Sequence, residues 1–414
     1  MRARRSSHPR VGLAVVLSAV GAAACDLPLP IVVDHPWPRH TIDDASRGAD
    51  GVRLADMNGD GRLDITTPWE EGDQVRIYLH PKASATSTRW PGVTVGRVGA
   101  PEDAVFVDLD ADGAVDVVSS CEGSDRTVYV HWAPKQPDRI LDPAAWTTEP
   151  IPATRKARAW MFCVPLRSNG QPTFDLIVGA KGDNAQIGRL QAPANPRDLA
   201  AWSYHTLAPA GWIMSLILHD VDGDGDRDLV VSDRKGDHRG CFWLENPGPP
   251  ARQRLPWTRH AIGGEDKEVM FLTTADLDRD GLTDVLATVR GKEILFFRRE
   301  TADGRRWRTY TIQIPASAGT GKGIAVGDID RDDRPDIVFS CENAGDGKTG
   351  VMWMSYRRSP TEPLWTAHDI SGSAGIKFDL VALIDLDGDG DLDVLTCEER
   401  DNLGVIWYKN PTLR

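Results

Sequence analysis

Short apolar runs rich in Val, Ile and Leu recur along the chain, each opening on an aspartate and each preceded by a polar loop crowded with Asp and Gly. Asp116-Val-Val-Ser and Asp336-Ile-Val-Phe are examples. Runs this short, β-branched and bounded by turn residues read as strands. Two further patterns follow each run. One is Gly350-Val-Met-Trp or Gly404-Val-Ile-Trp, and the other is Trp257-Thr-Arg-His260-Ala-Ile262, whose opening Trp recurs at 37, 90, 146, 202, 307 and 365. The pattern predicts a unit of four strands: A leading into the aspartate loop, B leaving it, then C and D.

The loops set the period. Six of them read D-x-[DN]-x-D-x-x-x-D, and a seventh keeps only the last aspartate, in Phe174-Asp175-Leu-Ile-Val-Gly-Ala. The last aspartates fall at 64, 116, 175, 228, 284, 336 and 393, with steps of 52 to 59 residues. A period of this length signals a repeat architecture. Seven such units predict an all-β, seven-bladed β-propeller of four-stranded antiparallel blades over residues 37–410. The strand at Trp37 precedes every aspartate loop, while the chain ends on a strand C at Val405 to Tyr408. The N-terminal strand is therefore expected to complete the last blade and close the ring, which hides sheet edges.

The aspartate loops and Asp175-Leu-Ile-Val-Gly-Ala resemble FG-GAP or VCBS repeats, the family that also builds the integrin α-subunit propeller and certain fungal lectins. The resemblance spans residues 37–410, although the family's Phe-Gly and Gly-Ala-Pro dipeptides are mostly missing. It implies a propeller; it does not imply one function, because propellers host many.

Aspartates at loop positions 1, 3, 5 and 9, with glycine at 6, supply hard oxygen ligands around a tight turn, as calcium requires. The expected ligands are Asp56, Asn58, Asp60 and Asp64; Asp108, Asp110, Asp112 and Asp116; Asp220, Asp222, Asp224 and Asp228; Asp276, Asp278, Asp280 and Asp284; Asp328, Asp330, Asp332 and Asp336; and Asp385, Asp387, Asp389 and Asp393. No EF-hand glutamate stands at position 12, so about six structural Ca²⁺ sites of extracellular-grade affinity are expected, with none in the third blade. Loop 6 carries Asp333 where glycine is expected. The competing reading is a set of solvated Asp turns.

Four arginines precede the apolar run Val11 to Ala24, which reads as an export signal over residues 1–24 followed by a linker over 25–36. Cys25 after three alanines fits both ordinary cleavage and a lipoprotein site, so the product is secreted, periplasmic or lipid-anchored at the surface; membrane contact is expected only through that lipid. The net charge of −13 argues against a nucleic-acid partner. Five further cysteines lack zinc spacing and read as free buried thiols with at most one disulfide.

In a blade of this kind the A–B and C–D turns share one face and the B–C and D–A turns the other, because successive strands are antiparallel. Calcium loops thus lie on the bottom and the most unusual loops on top. Trp69, Trp160 and Trp212 fall outside the repeat pattern and are expected as exposed top-face aromatics suited to sugar rings, with Glu122, Lys235 and Glu268 as polar partners. His40, His205, His260 and His368 recur in strand D and read as structural. Two functions compete. One is a calcium-binding module for a polysaccharide, a cell-surface glycan or a protein. The other is a carbohydrate-active enzyme, a lyase or dehydratase, in which Lys322, Lys377 and Arg234 neutralise a carboxylate or enolate while Glu342, Glu398 or His238 moves the proton.

Overall fold

A computed structural model describes residues 31–33, 35–167, 173–248 and 255–412; the export segment, Cys25 and part of the linker lie outside them. The protein is a seven-bladed β-propeller. Each blade is an antiparallel sheet whose strands pair in the order A–B–C–D. Blade 1, for example, comprises Arg53–Ala55, Asp64–Trp69, Gln74–Tyr78 and Gly92–Arg97. Strand B opens on the last loop aspartate in every blade except the third, where it begins one residue earlier, at Phe174.

Blade 7 takes strands A to C from Phe378–Ile384, Asp393–Glu398 and Gly404–Tyr408, and its outer strand from Arg39–Asp43. That outer strand runs antiparallel to strand C, with Arg39 opposite Tyr408 and His40 opposite Trp407. A further strand, Ile31–Val33, lies parallel on the outer edge of blade 6 against Trp365–Asp369.

The repeated residues hold the blades together. The last loop aspartate clamps two turns: Asp64 accepts from Met57 N at 3.0 Å and from His80 N at 2.8 Å. Asp116 does the same for Leu109 N and Ala133 N. Burial raises these carboxyls, Asp64 to about 6 and Asp116 to about 8. Asp175 shows why the third blade keeps this residue without the rest of the loop. It accepts from Ala192 N at 2.9 Å and from Arg189 Nε at 2.8 Å, so it still clamps its blade.

Strand D histidines pack against strand C tryptophans, with centroids 4.6 Å apart for His40 and Trp407 and 4.3 Å for His260 and Trp243, both tilted, and 3.8 Å for His368 and Trp353, which are stacked. In blade 3 the residue opposite His205 is Arg189. Between blades the space is filled by apolar clusters such as Val105, Val118 and Trp132 of blade 2 with Leu176, Val178 and Trp160 of blade 3. Cys121, Cys163, Cys241, Cys341 and Cys397 are buried free thiols, so no disulfide joins the blades.

Candidate functional site

Two rings of residues build a cavity at the top of the central channel. The inner ring comes from the start of strand A, six residues before the first loop aspartate: Asp50, Glu102, Lys322 and Asp379 in blades 1, 2, 6 and 7, and Met214 and Met270 in blades 4 and 5. Met161 holds the same place in blade 3. Each of these residues sits at a break in strand register. The A–B pairing slips between Pro101 and Asp103, Trp160 and Phe162, Ile213 and Ser215, Val269 and Leu272, Gly321 and Ile324, and Phe378 and Val381. In blade 1 the bridge of Ala49 to Trp69 and the pair Arg53 to Thr66 are likewise one residue out of step. A β-bulge leaves one residue unpaired and re-aims its side chain. Here the bulge residue lines the cavity in all seven blades.

The outer ring stands six residues after the last loop aspartate and is charged throughout. Glu70, Glu122, Glu342 and Glu399 belong to blades 1, 2, 6 and 7, and Lys181, Arg234 and Arg290 to blades 3, 4 and 5. The cavity between the rings measures about 210 Å³. One arc of its wall is acidic. The opposite arc is Met161, Met214 and Met270 with Phe162 and Phe271, under a basic rim.

Ion pairs engage every base on the wall. Lys181 meets Glu122 and lies 3.4 Å from Glu102; Arg234 is 3.2 Å from Glu268; Lys322 meets Asp379 and stands 4.0 Å from Asp50; Lys377 meets Glu399. Arg290 links Glu268 and Glu342 at 3.7 and 3.4 Å. Burial, then the Asp379 charge, pushes Asp50 well above the usual carboxylate range, and burial pushes Glu102 the same way. Glu70 is raised by burial and by Glu399 and Glu122. Asp379 is held low against its burial by Lys322, while Lys322, despite burial, is held well above the ordinary ammonium value by Asp379 and Asp50.

Of the residues expected at the site, the structure brings Glu122, Trp212, Arg234, Lys322, Glu342 and Lys377 into the cavity wall. Lys235 and Glu268 stand beside it, Lys235 Nζ 4.7 Å over the Trp212 ring and Glu268 on Arg234. Four expectations are corrected. Trp69 and Trp160 are fully buried, not exposed. Trp69 donates to Tyr78 Oη at 2.9 Å, and that hydroxyl donates to Asp43; Trp160 donates to the carbonyls of Arg126 and Thr154, both at 3.1 Å. Glu398 is also fully buried, and its carboxylate accepts five backbone N–H groups, which commits it to the backbone and not to the cavity. His238 is exposed and stands outside the cavity wall, apart from the residues that converge there. Trp212 has its ring covered by Lys181, Arg234 and Lys235, each within 4.8 Å, which leaves little of it for stacking a sugar.

Sequence reasoning missed Asp50, Glu70, Glu102, Lys181, Asp379 and the three methionines. Their signal was positional: a fixed offset from the aspartate loop at which all seven units agree in place and differ in residue.

On the opposite face the aspartate loops share one geometry. Asp56 accepts from Asp60 N at 3.0 Å and Gly61 N at 2.9 Å, and Asp276 from Asp280 N and Gly281 N. Asp333 keeps that turn, donating to Asp328 at 3.0 Å with φ of 63°, a left-handed conformation Asp tolerates. Carboxylate oxygens of Asp108, Asp110 and Asp116, of Asp220, Asp222 and Asp228, and of Asp276, Asp278 and Asp284 lie within 4.8 Å of one another in each loop, an oxygen-only donor set that fits calcium. Basic side chains neutralise part of the charge, as Arg197 does on Asp110 and Asp112.

The family model described as FG-GAP-like repeat matches residues 220–287 and 276–339. Crystal structures of BBS1N in complex with ARL6DN, soaked with mercury or lead, share the fold with a TM-score of 0.54 at 12% identity, covering 92% of this chain and 99% and 100% of those chains. An Agrocybe aegerita lectin that recognises non-reducing terminal N-acetylglucosamine aligns with a TM-score of 0.44 at 13% identity over 78% of this chain and 81% of its own. No curated protein matches the chain.

Proposed function

Since the chain is a seven-bladed propeller of the FG-GAP/VCBS repeat family, we propose that it is an exported binding module that takes the end group of a glycan or cell-surface partner into the top-face cavity. The observation that carries this reading is the double ring: fourteen equivalent positions, two per blade, of which eleven are charged and three are methionine, and all but Arg290 and Glu399 line the cavity. Polar groups converging on an apolar floor in a concave site are what fix a small ligand's orientation. At about 210 Å³ the cavity is smaller than the ~300–1,000 Å³ of sites for drug-sized molecules. It suits one sugar unit or a similar end group, with the rest of the partner lying across the rim.

Calcium belongs to this reading as a stiffener of the opposite face, held by the aspartates and asparagine at loop positions 1, 3 and 5 and reached by the position-9 carboxylates. It would fix the loops from which strand B starts. Export through segment 1–24 places the module outside the cytoplasm, with Cys25 as the residue that would carry a lipid.

The test is binding of immobilised glycans by the calcium-loaded protein and by Met214→Arg, which fills the cavity. Retention of a glycan by the parent and its loss in the variant supports the cavity as the site. Equal retention by both sinks it.

One observation favours a second reading, an enzyme that moves protons. Asp50 and Asp379 share a buried site in which one carboxyl is driven up and the other down, the arrangement that separates acid from base in active sites. In that reading Asp50 donates the proton, and Lys322, already committed to Asp379, holds the charge of the pair. Incubation with neutral and uronate-rich polysaccharides, with products read by mass spectrometry for a new double bond or shortened chains, decides it; a product that disappears in Asp50→Asn supports the enzyme, and absence of product from every polymer sinks it.

A further inference from the structure

We propose that the cavity recognises a protonated primary amine carried on a hydroxylated ring, the class of an amino sugar with a free amine, with the ammonium seated among Asp50, Glu70 and Glu102. The inference rests on the reading of the cavity as a ligand site and names what that site selects.

Three observations converge. First, one carboxylate oxygen from each of Asp50, Glu70 and Glu102 lies within 4.8 Å of the other two. A primary ammonium has three N–H donors in tetrahedral array, and hydrogen bonds of about 2.8 Å place its three acceptors roughly 4.6 Å apart. The triad has the spacing that such a donor needs.

Second, the bases on the wall are taken. Six carboxyl groups and four bases line the cavity, and each base is already engaged: Lys181 by Glu102 and Glu122, Arg234 by Glu268, Lys322 by Asp379, Lys377 by Glu399. Glu70 forms no ion pair among the described residues. A uronate or phosphate entering here would meet bases already committed and an arc of carboxyls; an ammonium would meet Glu70, which no base engages, and the acceptor oxygens of Asp50 and Glu102.

Third, the indole N–H of Trp212, a residue of the cavity wall, is buried and meets no acceptor. Buried donors are rarely left unpaired, so this one is available to a ligand hydroxyl or ring oxygen once the side chain turns towards the cavity. The body of the ligand then rests on Met161, Met214 and Met270 beside Phe162 and Phe271, whose rings meet edge to face at 5.7 Å. Methionine and phenylalanine give a polarisable floor for C–H groups. They offer nothing to a bare divalent ion, which wants six to eight oxygens around it.

The experiment is calorimetric titration of the calcium-loaded full-length mature protein with a glucosamine oligosaccharide, its fully N-acetylated counterpart and a galacturonate oligosaccharide of equal length. Acetylation removes the charge and two of the three donors, so the amine should bind at least tenfold tighter than the acetylated sugar, and the uronate weakest. Glu70→Gln, at a partly exposed position with no ion pair to lose, should weaken the amine about tenfold and leave the acetylated sugar unchanged. Equal binding of the amine and its acetylated form, or no binding of the amine, would overturn the ammonium site. If in that event Met214→Arg still abolished binding of the acetylated sugar or the uronate, the cavity reading would survive; if no binding responded to Met214→Arg, both would fall.

Discussion

Glu398→Ala should destabilise the protein strongly without touching chemistry, and the structure sets the size of the effect. Oε1 accepts from the backbone N–H of Ile376 and Lys377 at 3.1 Å and of Arg400 and Asp401 at 3.0 Å, and Oε2 accepts from Leu403 at 3.1 Å. One side chain therefore ties the loop before strand A to the turn between strands B and C in blade 7. Arg400 and Asp401 are exposed, so water replaces the carboxylate there. Ile376, Lys377 and Leu403 are half-buried and lose a charged acceptor, at about 1–2 kcal/mol each. The expected loss is roughly 3–6 kcal/mol, a large share of the ~5–15 kcal/mol that holds a folded domain. Glu398→Gln keeps one acceptor oxygen and should lose about half as much. Urea unfolding followed by the fluorescence of the 14 tryptophans measures both. A Glu398→Ala protein within about 1 kcal/mol of the parent, yet unable to handle its ligand, would refute the reasoning and return Glu398 to the functional site.

Three other outcomes follow from the same contacts. Trp160→Ala should cost about 3–5 kcal/mol in urea unfolding, because the indole is fully buried and doubly hydrogen-bonded, whereas Trp212→Phe should stay within about 1 kcal/mol and alter binding only. His131 is fully buried between Ser119 Oγ and Thr148 Oγ1, both at 2.9 Å, and burial drives its pKa down to about 3. Its neutral form is the folded one, so its contribution is complete above pH 6.5 and is lost as pH falls from 6.5 towards 3, by up to about 5 kcal/mol; His131→Gln should flatten that acid limb relative to the parent, and parallel curves would contradict the assignment. Calcium at 10 mM should raise the melting temperature, since a site with Kd of about 1 mM contributes roughly 1.4 kcal/mol at that concentration; Asp220→Ala should remove one site's share, and a melting curve indifferent to both calcium and chelator would leave the loops as plain Asp turns.

The fold was legible because the residues that hold it together are the ones that repeat. An aspartate that clamps two backbone turns cannot be replaced cheaply, so it marks each blade at the start of strand B, even in blade 3, where Asp175 survives alone with Arg189 beside it. The strand D histidines were read as structural for a similar reason, and three of them pack against a strand C tryptophan. What misled was the step from irregular to exposed. Trp69 and Trp160 break the repeat because they fill space where blades meet, and their partners, Tyr78 and the carbonyls of Arg126 and Thr154, lie 6 to 34 residues away. Glu398 failed differently: its acceptor role depends on five N–H groups from two loops, and no local pattern announces where loops converge.

The site itself follows a rule that the same repeat could have supplied. This propeller gives every blade a bulge at the top of strand A, and a bulge residue lines the channel whatever its chemistry. Backbone geometry therefore fixes seven positions, and selection on function acts only on their identity. Positions that serve the fold should converge on one residue, as position 9 of the loops does. Positions that serve a ligand should diverge from blade to blade, because an asymmetric ligand meets each blade with a different group. Asp50, Glu102, Met161, Met214, Met270, Lys322 and Asp379 diverge in this way and in an ordered manner, acids together and methionines together. A ring built only to plug the channel has no need of that order, since apolar residues in every blade would fill it without burying Asp50, Lys322 and Asp379. The cost of burying those charges is the strongest argument that the cavity exists for a ligand.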